Sequence, residues 1–344
     1  MRDTRPAVAL IFGGMGYERE ISISGAPYLH SLIDKTKYKV IPILIESSGV
    51  MTEAEISGGN VKDTGVAAHL FRMFGRGGVI AEGDFTPLAA AIPLLHGDLG
   101  EDGTLQGALT TVGIPYIGCD PSAGSLCLDK IFTKIIAEYL GIPVAKYRTY
   151  IKNCDTSPDI PELERYLGYP MFVKPARLGS SVGISLAKDR ASLEKAIAEA
   201  KEVGSGRVLI EECIKVKEEA EVAFLELSGK RIFTAPGSVS GTDGFYDFSK
   251  KYQSTTAQIS EASGTTQKQA ELIEKYSRAL ASFIGLRHIS RIDFFISEDG
   301  GVIFNEINTF PGFTVGSLYP RLLKKAGIDP AIAINSLISE VAGL

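Results

Sequence analysis

The sequence predicts an α/β protein made of more than one domain, on three observations. The chain has 344 residues, more than a single small hydrophobic core usually serves, so two or three domains are expected. The apolar run 8–12 is typical of a buried parallel strand, and a glycine turn and a helical pattern follow it. Strand and helix patterns then alternate along the chain, which indicates helices layered on sheets.

Shifts in this pattern place domain boundaries near residues 118 and 214. The first part, 1–118, has predicted strands at 8–12, 38–45, 91–95 and 114–117 and a helix over 104–112. The second part, 119–214, has a helix capped by Asp129 and running to about Leu140, strands at 171–174, 184–187 and 208–212, and a helix over 191–203. The third part, 215–344, has a hairpin of 221–227 with 231–234, a loop over 236–256, a helix over 267–283, strands at 289–297 and 301–307, and two closing helices.

Composition and charge exclude several classes of protein. The chain carries 36 Lys and Arg against 41 Asp and Glu, a net charge of −5, which argues against a general binder of nucleic acid or of acidic membranes. No apolar run approaches the roughly 18 residues of a membrane helix. The apolar run near the N-terminus is too short for a signal peptide, so we expect a cytoplasmic protein.

The cysteine and histidine spacings do not suggest a metal site. The four cysteines, Cys119, Cys127, Cys154 and Cys213, include no C-x-x-C pair, and the four histidines form no zinc-binding pattern. We therefore predict free thiols rather than disulfides or a zinc centre.

The glycine turn after the first strand has two features that bear on ligands. Gly13 and Gly14 do not extend to G-x-G-x-x-G, since Arg19 occupies the third position, so a nicotinamide-dependent enzyme is not favoured. Glu18 could face a substrate ammonium, or it could merely complement the dipole of the following helix.

The segment Gly179-Ser180-Ser181-Val182-Gly183 allows three interpretations. As G-x-S-x-G it could be a hydrolase nucleophile elbow with Ser181 as nucleophile, but an elbow leads into a helix, and here a strand follows. A glycine- and serine-rich hairpin tip instead offers N–H groups and hydroxyls to phosphate oxygens. Lys174 on the preceding strand adds positive charge. A phosphate-binding loop is favoured over the elbow and over a purely structural turn.

Two strands near the C-terminus carry polar residues in an otherwise apolar pattern. Arg291 and Asp293, like Glu306 and Asn308, are two residues apart and so share one face of a strand. A two-residue turn at Asp299-Gly300 would place Glu298 opposite Gly301, Asp293 opposite Glu306 and Arg291 opposite Asn308. Facing carboxylates with an amide are an oxygen ligand set suited to Mg²⁺. The alternative is a solvated ion-pair face with Arg291.

Other candidates carry weaker signals. Lys130 begins a helix and is either solvated or functional, whereas Lys251 lies in an aromatic-rich loop that could close over a site. Glu211 and Glu219 flank a short connection that could hold adenine and ribose. After the last strand, the Gly312 N–H could stabilise an oxyanion and Ser317 could bind a carboxylate.

Together these motifs resemble the D-alanine–D-alanine ligase family of the ATP-grasp superfamily. The matching stretches span nearly the whole chain in the family's order. They are Gly13-Gly14 with 18–22, His96-Gly97 with 100–107, Leu128-Asp129-Lys130, 173–175 with 179–183, Lys251-Tyr252, 291–293, and 305–309 with 311–314 and Ser317-Leu318. The resemblance implies a three-domain ATP-grasp fold with a Rossmann-like N-terminal domain, ATP with Mg²⁺ (or Mn²⁺ in its place), two D-alanines as substrates, and a homodimer.

The resemblance also implies a role for each matching residue. Catalytic roles fall to Glu18, Ser180, Tyr252, Arg291 and Gly312. ATP binding falls to Lys130, Lys174, Ser180, Ser181, Val182, Gly183, Glu211, Ile214, Glu219 and Asn305. Substrate binding falls to Glu18, His96, Lys251, Arg291, Gly312, Ser317 and Leu318, and metal binding to Asp293, Glu306 and Asn308.

The sequence departs from the family pattern beside the second-substrate residues. Val315-Gly316 stands where Ser-His is common. Leu318 and Tyr252 nevertheless favour D-alanine as second substrate over D-serine or D-lactate, whose ligases are the alternative.

Overall fold

A computed structural model of the chain describes residues 3–154, 158–180, 182–203, 205–240 and 258–344. The predicted site residues Ser181, Lys251 and Tyr252 lie outside these ranges, as does most of the predicted loop over 236–256. The mixed α/β composition and the three sheets agree with the predicted fold class.

The first sheet closes on itself in the order β1-β2-β3-β4-β5-β6. Its strands are β1 (Ala7–Gly13), β2 (Lys39–Ile45), β3 (Met51–Ser57), β4 (Asn60–Met73), β5 (Arg76–Ala81) and β6 (Asp84–Leu94), with helices α1 (Arg19–Leu32) and α2 (Thr104–Val112). Only the pairings of β1 with β2 and β6 are parallel. The helix predicted over 104–112 is confirmed. The strand predicted over 114–117 is wrong, because only Tyr116 forms a bridge there, with Ala91.

The second sheet has the order β7-β10-β8-β9. In chain order the elements are α3 (Pro121–Leu128), α4 (Lys130–Tyr139), β7 (Tyr147–Ile151), α5 (Ile160–Leu167), β8 (Met171–Pro175), β9 (Ser185–Ala187), α6 (Arg190–Ala200) and β10 (Arg207–Glu212). The Asp129 side chain accepts a hydrogen bond from the Ile131 N–H, so the predicted cap of α4 is confirmed.

The third sheet has the order β14-β13-β11-β15-β16, with β12 paired to β11. Its elements are β11 (Val216–Leu227), β12 (Lys230–Phe233), β13 (Gly237–Ser240), β14 (Gln258–Ser260), α7 (Gln267–Ile284), β15 (Ile289–Ser297), β16 (Val302–Asn308), α8 (Leu318–Lys325) and α9 (Pro330–Ala342). The predicted loop over 236–256 is wrong at its beginning, because β13 forms there and pairs with β11.

The hairpin of β15 and β16 has the predicted register at its polar end and a different one at its turn. Arg291 lies opposite Asn308 and Asp293 opposite Glu306, as predicted. The predicted pairing of Glu298 with Gly301 is wrong, because the Ser297 N–H bonds to the Gly301 carbonyl and a three-residue turn results. A bulge at Asn305 adds the residue that restores the register.

One apolar core joins the first sheet to the third. Leu10 of β1 and Leu29 of α1 belong to the same buried cluster as Tyr319 of α8 and Leu337 of α9. The Tyr319 hydroxyl donates to the Phe224 carbonyl in β11. Because this shared core is continuous, the loops of the first sheet are held against the strands that carry the polar residues.

Two simpler predictions concern cysteines and membranes. All four cysteines are free thiols, as predicted. Within the described ranges, every helix is too short or too polar to cross a bilayer.

Candidate active site

A narrow cleft forms where loops of the first sheet meet the loop between β8 and β9. Its walls are Gly16, Tyr17, Glu18, His96, Gly97, Asp98, Leu178, Gly179 and Val182. The loop of 176–184 joins two antiparallel strands rather than a strand and a helix. The nucleophile-elbow interpretation is therefore wrong, because an elbow leads into a helix, and the phosphate-binding loop stays a prediction.

Glu18 is enclosed by glycine backbone from both sides of the cleft. A Cβ atom at Gly97 would lie 2.4 Å from Glu18 Oε2, and one at Gly179 would lie 2.7 Å from the same oxygen. The Ser180 hydroxyl donates to Glu18 Oε1, and Ser180 has a positive φ of 48°. Glu18 makes no side-chain cap on α1, and its carboxylate instead accepts from Ser180 in the loop between β8 and β9. The structure thus brings Glu18 and Ser180 together.

Glu101 is a buried acid beside this cleft that the sequence analysis missed. Its Oε2 accepts from the Gly97 N–H at 2.9 Å and its Oε1 from the Phe310 N–H at 3.3 Å. Burial and then the charge of Glu18 raise its pKa to about 8. Burial lowers the pKa of neighbouring His96 to about 4, so this imidazole is neutral at pH 7. Glu101 ties the loop after β6 to the segment after β16.

The polar face of β15 and β16 is a compact array of charges. Arg291 Nε lies 2.8 Å from Asp293 Oδ1 and 2.9 Å from Glu221 Oε2, and Arg291 Nη2 lies 2.6 Å from Asp293 Oδ2. The Asn308 amide donates to Asp293 Oδ2 at 3.0 Å. Because these partners are buried or half-buried, the solvated ion-pair face is wrong.

This array fits a hard divalent cation. Asp293 and Glu306 lie directly opposite each other, and together with Asn308 they have carboxylate and amide oxygens, the donor type that Mg²⁺ prefers. Among the described residues there is no cluster of three or more His, Cys, Asp or Glu side chains that could hold a metal. A cation here would therefore need oxygens from a bound phosphate as well.

Two lysines near the loop of 176–184 form ion pairs with buried or half-buried carboxylates. Lys130 Nζ lies 3.2 Å from Glu306 Oε2 and donates to the Leu178 carbonyl at 2.9 Å. Lys174 Nζ lies 2.5 Å from Glu211 Oε2. Lys130 is buried, so the interpretation of it as a solvated residue is wrong.

Lys134 is a second residue that the sequence analysis missed. Its Nζ lies 2.5 Å from Glu211 Oε1, so both oxygens of Glu211 face ammonium groups. Burial opposes ionisation of Glu211, but the two lysines outweigh it and lower its pKa to about 2. The available signal was spacing, since Lys134 lies four residues after Lys130 on the same helix.

The other predicted residues lie either around the connection between β10 and β11 or in the segment that leads into α8. Ile214 lies in the connection between β10 and β11, and Glu219 lies within β11 opposite Phe295 rather than at the strand's beginning. Ser317 occupies the N-cap position of α8, but its side chain does not cap the helix. Its hydroxyl instead accepts from the Thr314 N–H at 2.9 Å. A Cβ atom at Gly312 would lie 3.1 Å from Ser317 Oγ, and Leu318 is buried.

Comparison with known proteins decides the family. The model of the D-ala D-ala ligase N-terminus matches residues 7–119, and that of the D-ala D-ala ligase C-terminus matches residues 136–339. The chain belongs to the D-alanine–D-alanine ligase family. The predicted resemblance is thereby confirmed.

Relatives and solved structures agree with this membership over nearly the whole chain. The D-alanine–D-alanine ligase of Chlorobium limicola is 35% identical, with 97% of this chain and 96% of the relative covered. That of Chlorobium phaeovibrioides is 37% identical, with 93% and 92% covered. The structure of D-alanyl-alanine synthetase A from Vibrio cholerae matches with a TM-score of 0.87, 30% identity and 99% of each chain covered. VanG D-Ala:D-Ser ligase from Enterococcus faecalis matches with a TM-score of 0.86, 29% identity, and 98% and 100% covered. The predicted ATP-grasp fold is confirmed.

Proposed function

We propose that this protein is an ATP-dependent ligase that joins two D-alanines, with ATP converted to ADP and phosphate, for peptidoglycan precursor synthesis. The contact between Lys130 Nζ and Glu306 Oε2, at 3.2 Å, carries the proposal from the site. It places the helix beside the phosphate loop directly against the paired carboxylates of the third sheet. Phosphoryl transfer depends mainly on such positioning and electrostatic stabilisation.

The first step activates one D-alanine. Glu18 binds the ammonium of this D-alanine. A carboxylate oxygen of the same D-alanine attacks the γ-phosphorus of ATP, so that an acyl phosphate forms and ADP leaves. Lys130, Lys174 and the 179–183 loop hold the phosphates. Mg²⁺, or Mn²⁺ in its place, supplies charge neutralisation at the phosphates, and Asp293, Glu306 and Asn308 would hold it.

The second step forms the peptide bond. The neutral amine of the second D-alanine attacks the acyl carbon, the C–O bond to phosphate breaks so that inorganic phosphate leaves, and the nitrogen releases one proton. Arg291 and the Gly312 N–H stabilise the oxyanion, an effect of about 3 kcal/mol per donor. Lys251, Ser317 and Leu318 bind the second D-alanine, His96 contacts the first, and Glu211, Ile214, Glu219 and Asn305 contact the nucleotide. Two residues outside the described ranges complete the proposed site. Tyr252 acts through Ser180, and Ser181 contributes to ATP binding.

Three further features complete the proposal: the homodimer is what the resemblance implies, whereas the location and the domain boundaries come from the sequence pattern. We propose a homodimer that acts in the cytoplasm, with domain boundaries near 118 and 214. The extents of the three sheets, 7–94, 147–212 and 216–308, support these boundaries.

The test is ADP release from Mg²⁺-ATP with D-alanine, D-serine and D-lactate in competition, and with products identified by mass. We expect mainly D-Ala-D-Ala. A mixed product with D-serine or D-lactate would move the second-substrate assignment to the alternative ligases. Folded protein that releases no D-alanine-dependent ADP would overturn the proposal.

A further inference from the structure

Lys134 is more deeply buried than either of the two lysines proposed to hold the phosphates, Lys130 and Lys174. The two reaction steps above assign no role to Lys134. It lies on α4 and contacts Glu211 Oε1 at 2.5 Å, and both side chains are almost inaccessible, at 3% and 4% exposed. The ring of Tyr147 covers it, with Nζ 5.8 Å from the ring centroid. A buried ammonium is costly unless something compensates, so this placement calls for an explanation.

The charges around Glu211 supply one. Glu211 bridges Lys134 and Lys174, so the three side chains together carry one net positive charge. Without Lys134, Glu211 would neutralise Lys174 alone, and the pair would carry no net charge. Lys174 is the member of this trio on β8, the strand that enters the 179–183 loop. The Lys174 side chain is 11% exposed, against 3% for Lys134, and Glu306, the partner of Lys130, is among the charges that act on it.

We infer that Lys134 is a positioning residue for ATP: it neutralises Glu211, so that the positive charge of Lys174 stays available to the phosphates. Lys134 touches no substrate itself and acts through Glu211. The inference rests on the proposed function, since it assumes that phosphates bind beside Lys174. It predicts that Lys134 matters in proportion to the charge of the ligand.

The ligand series ATP, ADP and adenosine tests this dependence on charge. Calorimetric titration would give the ratio of the adenosine Kd to the ATP Kd for each variant, which cancels effects on adenine binding. We expect Lys134→Met to lower this ratio about tenfold, with a smaller loss for ADP and little change for adenosine. Lys134→Arg, which keeps the charge, should stay within about threefold of the parent protein. A matched control is Lys195→Met, which removes an exposed lysine 3.8 Å from Glu199 on α6.

The double variant Lys134→Met with Glu211→Gln separates charge balance from packing. It removes one positive and one negative charge, so the net charge beside the phosphates returns to that of the parent. We expect it to recover most of the ratio lost in Lys134→Met. Its remaining net charge, the single positive charge of Lys174, equals that of the parent trio, so it gives its own readout if Lys134→Met alone does not fold.

The outcomes separate this inference from the proposed function. Equal losses for ATP and adenosine in Lys134→Met, or a double variant with a ratio no better than the single variant, would overturn the role of Lys134. For the case in which only the double variant folds, a ratio within about threefold of the parent supports the role, and a tenfold lower ratio overturns it. Parent protein that prefers ATP to adenosine but releases no ADP with D-alanine would overturn the ligase proposal alone.

Discussion

Lys130 and Lys134 lie one helical turn apart on α4, yet they form two different kinds of ion pair. Lys130 contacts Glu306 of the third sheet at 3.2 Å, with the two side chains 11% and 20% exposed. Lys134 contacts Glu211 of the second sheet at 2.5 Å, with exposures of 3% and 4%. One turn of α4 therefore serves two sheets.

The difference shows how the degree of burial gives two lysines on the same helix different roles. The Lys130 pair is the more exposed of the two, and Lys130 donates to the carbonyl of Leu178 in the wall of the cleft. The Lys134 pair is almost inaccessible to solvent, and Lys134 acts on the site only through Glu211. Strong coupling between buried charges makes such a pair costly to break, whereas the more exposed pair can exchange partners.

The largest effect is expected from the Lys130–Glu306 pair, the less buried of the two. Glu306→Gln removes a predicted metal ligand and the charged partner of Lys130. Since a metal at transferring phosphates is worth several kcal/mol, kcat/KM for ADP release should fall by about 100-fold or more, and half-maximal activity should need more Mg²⁺. Glu298→Gln, an exposed change in the turn of the same hairpin, serves as control. A Glu306→Gln enzyme with near-parental activity and the same Mg²⁺ requirement would contradict this.

The two pairs also differ in how far the sequence could predict them. Asp293 and Glu306 belong to one hairpin, so alternation along neighbouring strands was enough to place them together. The turn prediction was nevertheless one residue out, because a bulge at Asn305 depends on packing that local patterns do not encode. The predicted register is therefore right at Asp293 and Glu306, although the predicted length of the turn is wrong.

Long-range contacts escaped prediction for a physical reason. Lys134 and Glu211 are far apart in sequence, and their meeting depends on how α4 packs on β10. Glu101 joins Gly97 to Phe310 by accepting from two backbone N–H groups, which every residue type but proline supplies. Strands β3 to β5 also went unpredicted, because β4 is exposed over much of its length and lacks a clear apolar alternation.

The buried pair should govern stability at low pH. The pKa of Glu211, lowered to about 2 from the usual 4.5, means that its ionised form is favoured by folding. That stability is present above about pH 4.5 and is lost as the pH falls toward 2. Lys134→Met should raise this pKa, lower the free energy of unfolding at pH 7 by about 3 kcal/mol, and shift acid unfolding to higher pH.

Circular dichroism during acid titration measures this shift, with urea unfolding for the value at pH 7. Lys195→Met provides the matched loss of one lysine at an exposed position and should leave the acid transition in place. If the Lys134→Met and parental proteins unfold at the same pH, then Lys134 does not stabilise the ionised form of Glu211. The prediction that the two ion pairs differ in their effect on stability would then be wrong.

The smallest effect is expected at the cap that orients both lysines. Asp129 accepts from the Ile131 N–H at 3.0 Å and pairs with Arg207 Nε at 2.8 Å. Asn caps helices about as well as Asp, so Asp129→Asn should keep α4 in place and lose only the charge toward Arg207. We expect a stability loss of about 1 kcal/mol by urea unfolding and ADP release within about twofold of the parent. A large loss of activity with unchanged stability would mean that the charge of Asp129, and not the direction of α4, sets the positions of Lys130 and Lys134.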